Sequence, residues 1–181
     1  MENKTLYTIT IFSENTVGLL NQITIIFTRR RLNIETLSVS PSAIDGIHKF
    51  TITTFSDYDT ITKVVKQIDK RVGIIKTYCN TEEGIVHQEI ALYKVATENL
   101  LQLGSIEDIV SRYNARVLEL TANYVVFSKT GHYADTQAMF KELSERVGVL
   151  QFIRSGRIAI TKELLSDMMA VKEGILQDET D

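Results

Sequence analysis

The sequence holds one cysteine, Cys79, and one proline, Pro41, in 181 residues. A lone cysteine cannot form an intrachain disulfide, so the chain is not a disulfide-stapled scaffold. Apolar runs are only a few residues long, short of the ~20 needed to cross a bilayer, and no membrane span is expected. The start, MENKTLYT, has neither the charged region nor the apolar stretch of a secretory signal, which makes the cytoplasm the expected location. Charge of one sign is scarce as well. Twenty Lys and Arg against 23 Asp and Glu give a formal net charge of −3, without the positive footprint of a general nucleic-acid binder.

Catalytic constellations are also wanting. His48, His87 and His132 are far apart and lack metal-ligand spacing. Cys79 lies in a strand-like run with no base beside it, and Glu82 and Glu83 fall in an expected linker. No Walker loop, dinucleotide glycine fingerprint or GxSxG elbow occurs. The residues therefore predict a chain that does no chemistry of its own.

What the chain has is 44% hydrophobic residues, enough for a sizeable core, arranged with clear periodicity. Residues 4–12 alternate as a strand, and Leu19, Leu20, Ile23, Ile26 and Phe27 recur at helical spacing up to Arg29-Arg30-Arg31. IETLSVS and HKFTITTF read as two strands joined by the turn signals of PSAIDGI. Ile61, Val64, Val65 and Ile68 predict a second helix, with Asp57 or Asp59 at its start and Gly73 past its end, before the strand IIKTYCN. The order β-α-β-β-α-β is the ferredoxin-like arrangement, a four-stranded antiparallel sheet with both helices on one face.

The order then repeats: strand 88–97, helix 99–112, strands RVLELT and NYVVFSK, helix 134–146 and strand VLQFIRSG. Arg31-Leu32-Asn33 returns as Arg112-Tyr113-Asn114, and Arg71-Val72-Gly73 returns as Arg146-Val147-Gly148, at offsets of 81 and 75 residues. The expected fold is α+β, two tandem ferredoxin-like βαββαβ domains. Boundaries are expected at 1–80 for the first, 81–86 for a linker and 87–161 for the second, with a C-terminal helix and acidic tail over 162–181. In that tail Leu164, Leu165, Met168, Val171 and Ile175 share a helical face, for packing on the domain or docking on a partner.

One stretch is not repeated. FSENTVGLL, residues 12–20, sets a glycine at a strand-to-helix turn, and the second copy has no counterpart. Gly18 permits close approach to the unpaired N–H groups of a helix start, which favour a carboxylate. The Asn15 carbonyl offers an acceptor for an ammonium, with Val17, Leu19 and Leu20 as apolar walls. The rival reading is that Asn15 caps the helix and Gly18 relieves crowding. Asn33 either ends the first helix in the left-handed region or reaches a ligand, and the three arginines complement the helix C-terminus.

SENTVGLLNQITIIFTRRRLNIETLSVSPS closely resembles the N-terminal ACT domain of the regulatory small subunits of acetolactate synthase, also called acetohydroxyacid synthase. The likeness continues through HQEIALYKV and VLQFIRSGRIAI, so it spans roughly residues 4–161. It implies a non-catalytic subunit of branched-chain amino-acid biosynthesis that binds and stimulates a large catalytic subunit carrying thiamine diphosphate, Mg2+ and FAD. It further implies a homodimer through paired ACT domains and feedback inhibition by valine, with leucine or isoleucine as alternatives. Asn15, Thr16, Val17, Gly18, Leu19 and Leu20 of one chain, with Asn33 and Ile34 across the interface, are the effector residues so implied. The triple arginine departs from the single basic residue usual there. A stand-alone amino-acid sensor, acting on another enzyme or on transcription, is the rival from another class.

Overall fold

The computed structural model describes residues 4–101 and 106–162. The expected C-terminal helix, from Leu164 on, lies outside them. The described residues form two compact units, one running to His87 and resuming at Arg157, the other Gln88–Gly156.

In the first unit β1 (Thr5–Glu14), α1 (Leu19–Arg29), β2 (Thr36–Pro41), β3 (Ile47–Ser56), α2 (Tyr58–Asp69) and β4 (Ile74–Asn80) follow one another. The four strands form an antiparallel sheet of order β2-β3-β1-β4. Alternation along β1 and β3 places Ile9 opposite Ile52 and Ile11 opposite Phe50, and these pack against Ile23, Ile26 and Phe27 of α1 and Ile61, Val64 and Ile68 of α2. Each such side chain contributes about 1.5–3 kcal/mol on burial. The outward face of the sheet instead carries hydroxyls, Thr8, Thr10, Thr51 and Thr53, all buried.

Local signals set the helix ends. Asp57 caps α2 by accepting from the Thr60 N–H at 2.8 Å, and Asp59 sits in the first turn. α1 ends with Arg31 in the left-handed region, φ 54°, and the Leu32 N–H closing back on Phe27 O at 3.0 Å. Asn33, expected in that conformation as one alternative, lies two residues beyond it.

The second unit repeats the plan. β5 (Ile85–Ala96), α3 (Thr97–Leu101), α4 (Ile106–Tyr113), β6 (Arg116–Leu120), β7 (Tyr124–Gly131), α5 (Tyr133–Arg146) and β8 (Gln151–Arg154) give the sheet order β6-β7-β5-β8. Here α4 ends with Asn114 left-handed, φ 49°, and the Ala115 N–H on Val110 O. Arg31 is thus the structural counterpart of Asn114, and the RLN and RYN echo is two residues out of register. The other echo is structural, because Gly73 and Gly148 both have φ near 80°, at 82° and 75°.

One strand was not foreseen. β9 (Ile158–Thr161) follows β8 and pairs with β5, beside the Lys162 N–H bond to Gly84 O. Arg157, nearly buried, belongs to the first unit and donates there to Thr8 Oγ1 at 3.2 Å and to Glu82 Oε1 at 2.8 Å. No helix among the described residues is long and apolar enough to cross a membrane.

Candidate functional site

β1 ends at Glu14, and two backbone bonds fix where the following loop begins. The Glu14 N–H donates to Gly73 O at 2.9 Å and the Asn15 N–H to Gly46 O at 3.0 Å. Both acceptors belong to turns with left-handed glycines, at φ 82° and 76°. The RVG and Asp-Gly signals that end α2 and join β2 to β3 thereby position the loop as well, a role their sequence alone does not disclose.

Gly18 is the N-cap of α1, with φ 88°, and no side chain caps the helix. Asn15 therefore does not act as the cap, contrary to the structural alternative for that residue. A Cβ built at Gly18 meets nothing within 4 Å. The glycine is required by its backbone angle, not by crowding, and the space above it is open. The first turn holds no acidic residue, and the Leu19 N–H turns back to Thr16 O at 3.3 Å; a helix start without an acid or a side-chain cap has a positive end that favours an anion. Leu19 is buried in the core while Val17 is 100% exposed and Leu20 half-exposed. Thr16 reaches back to Glu14 Oε2 at 3.5 Å.

Asn33 and Ile34 lie elsewhere. The Asn33 side chain donates to Glu35 Oε1 at 2.8 Å, its carbonyl accepts from Thr54 Oγ1 at 2.7 Å, and Ile34 packs against the first core. Thr54 pairs with Tyr7, whereas the loop leaves the sheet where Glu14 pairs with Ile47. Seven residues of β3 separate those ends, about 20 Å at the rise of a strand. One chain does not bring Asn33 to the Gly18 loop. Between them runs β2, an edge strand of the sheet, with Leu37 and Val39 exposed.

Among its described residues the second unit has no such opening. β5 passes directly into α3, and the junction is tied to the β6–β7 turn by Thr97 N–H to Asn123 O at 3.1 Å and Thr97 Oγ1 to Thr121 O at 3.0 Å. It carries instead an ion pair between the buried Glu89 and the half-buried Arg154, which the sequence reading missed. Arg154 donates to both Glu89 carboxylate oxygens at 3.1 Å, and Thr136 Oγ1 donates to Glu89 Oε1 at 2.5 Å. Burial and the Glu89 charge push the Tyr93 phenol well above its ordinary range, and its hydroxyl donates to Thr136 O. Burial likewise pushes the Cys79 thiol up to about 11, which leaves it a poor nucleophile. Among the described residues no group of His, Cys, Asp and Glu could hold a metal.

An open, uncapped, glycine-started helix on one of two tandem ferredoxin-like units defines an ACT-type protein. A family model described as the AHAS small subunit-like ACT domain matches residues 9–76, and one described as the small subunit of acetolactate synthase matches residues 88–163. The chain belongs to the acetolactate synthase small-subunit family. It is 27% identical over 156 residues to the acetolactate synthase small subunit of Mycobacterium leprae, covering 86% of this chain and 91% of that protein. With that of Bacillus subtilis it shares 28% over 155 residues, 85% and 89% of the two chains. The crystal structure of the acetolactate synthase small subunit from Thermotoga maritima has the same fold, with a TM-score of 0.78 at 22% identity, covering 88% of this chain and 99% of that one.

Proposed function

We propose that this chain is the regulatory subunit of an acetolactate synthase, stimulating a large catalytic subunit and conferring feedback inhibition by valine bound between paired first units. The single observation that carries the site is the open, uncapped start of α1 at Gly18, where no acid or capping side chain competes for the N–H groups. The effector carboxylate sits at those N–H groups, the Asn15 carbonyl accepts from its ammonium, and its aliphatic group lies against Val17 and Leu20. Leucine or isoleucine fits the same parts, since one methylene is worth only ~0.8 kcal/mol.

The location of Asn33 favours a dimer. An antiparallel pairing of two β2 edges would bring the Asn33 end of one chain to the Pro41 end of the other, which is the end of the sheet that carries the loop. Thiamine diphosphate, Mg2+ and FAD belong to the partner in this reading. Valine can act only through its different affinities for the stimulating and inhibited arrangements.

Gly18→Asp tests the assignment, because its carboxylate would occupy and repel the place of the effector's own. Stimulation should survive and valine inhibition should vanish; full valine sensitivity would overturn the site. Mixed dimers test its shared nature. Gly18→Asp and Asn33→Ala chains each bind valine poorly alone, whereas their mixture should regain binding, since one of its pairings joins an intact loop to an intact Asn33.

A further inference from the structure

The outward face of the second sheet holds a cavity of about 200 Å3 lined by Leu92, Lys94, Glu119, Tyr124, Gln151 and Ile153 around Val126. Strand register explains its charge pattern. Lys94 of β5 and Glu119 of β6 both pair with Val126 of β7, one from each side, so their Cα atoms stand about 10 Å apart at the usual strand spacing. Opposite charges so placed would ordinarily neutralise each other across the strand. Here the Tyr124 ring intervenes. Lys94 Nζ lies 3.9 Å from the ring centroid, and Glu119 accepts from the Tyr124 hydroxyl and raises its pKa. Among the described residues Lys94 has no carboxylate partner.

The result is a cation and an anion held apart at the two sides of an apolar floor. Leu92 and Ile153, 36% and 52% exposed, form that floor with Val126, and Gln151 beside Lys94 adds an amide able both to donate and to accept. Three donors on the lysine suit a carboxylate, the glutamate suits an ammonium, and the floor suits a short branched alkyl group. The volume is below the roughly 300–1,000 Å3 of drug-sized ligand sites, which limits the guest to a small molecule.

We propose that this cavity binds a small zwitterion with an aliphatic side chain, its carboxylate on Lys94, its ammonium on Glu119 and its alkyl group on Leu92, Val126 and Ile153. It is a second site on a unit that lacks the glycine loop, and it stands or falls apart from the Gly18 assignment.

Leucine is the probe, and the full chain carrying Gly18→Asp is the background, which removes the first site from the readout. Methyl resonances of Leu92, Val126 and Ile153 should shift saturably with leucine. Lys94→Met and Glu119→Gln, both at exposed or half-exposed positions, should each weaken binding about tenfold or more, as loss of a charge-assisted hydrogen bond does. 4-Methylpentanoate, which is leucine without the ammonium, and isoamylamine, which is leucine without the carboxylate, should bind more weakly than leucine. Unmoved methyls, or shifts undiminished by Lys94→Met, would overturn the proposal. Shifts at these methyls in the Gly18→Asp chain, whatever happens at the first loop, would support it.

Discussion

The two units share a fold and differ at one junction. In the first, β1 gives way to a loop that leads through a left-handed glycine into an uncapped helix. In the second, the strand runs straight into its helix, and Thr97 closes the junction onto the neighbouring turn. A βαββαβ unit therefore does not need the loop in order to fold. Where an element is dispensable to the scaffold and leaves backbone donors open, a ligand is the natural use for it. The second unit invests elsewhere, in a buried carboxylate gripped by Arg154 and Thr136.

The largest effects should come from the two interiors. Phe27 lies in the first core, and Phe27→Ala should cost about 3–5 kcal/mol. Amide exchange should accelerate in β1, β3 and α1 and stay unchanged in β5 and β7. Acceleration in both sheets would break the view of two separately built cores. Arg154→Met should cost about 3 kcal/mol by leaving the Glu89 carboxylate buried and unpaired, and adding Glu89→Gln should recover part of that loss in denaturant titrations.

Smaller effects sharpen the contrast at the junction. Gly18→Ala should cost about 1–2 kcal/mol through its left-handed backbone alone, since the new methyl meets no neighbour, and Gly18→Asn should cost less. An equal loss for both would mean that packing, not φ, demands the glycine.

Acid should act on both units. The Tyr113 hydroxyl, Arg146 and Arg112 together hold the Glu142 carboxyl below its ordinary value of 4.5. A carboxylate lowered in this way stabilises the fold above that pH, and the contribution is lost as the pH falls through the folded value. Asp57, lowered first by the Thr60 N–H, behaves likewise. Glu142→Gln and Asp57→Asn should therefore each flatten the acid limb of the stability curve.

Much of this was legible in the sequence because it is local. The spacing of Leu19, Ile23, Ile26 and Phe27 prescribes α1 and its buried face, and Asp57 announces α2. Gly18 was singled out from its place between two periodicities. The rest depends on distant parts. β9 is too short to signal itself, and its pairing with β5 is a tertiary choice. The RLN echo misled because Arg31, a residue that rarely takes the left-handed region, occupies it where Asn114 does in the second unit. Glu89, Thr136 and Arg154 come from β5, α5 and β8, and no sequence spacing announces that they meet. Asn33 could be placed just ahead of β2 by periodicity, but its partner loop in this account belongs to another chain.

The most direct measurement is the rate of acetolactate formation by the cognate catalytic subunit, with and without this chain, each with and without valine. The account predicts stimulation by the chain, reversed by valine. No stimulation and no valine response, with both proteins folded, would contradict it and leave a free-standing amino-acid sensor in its place.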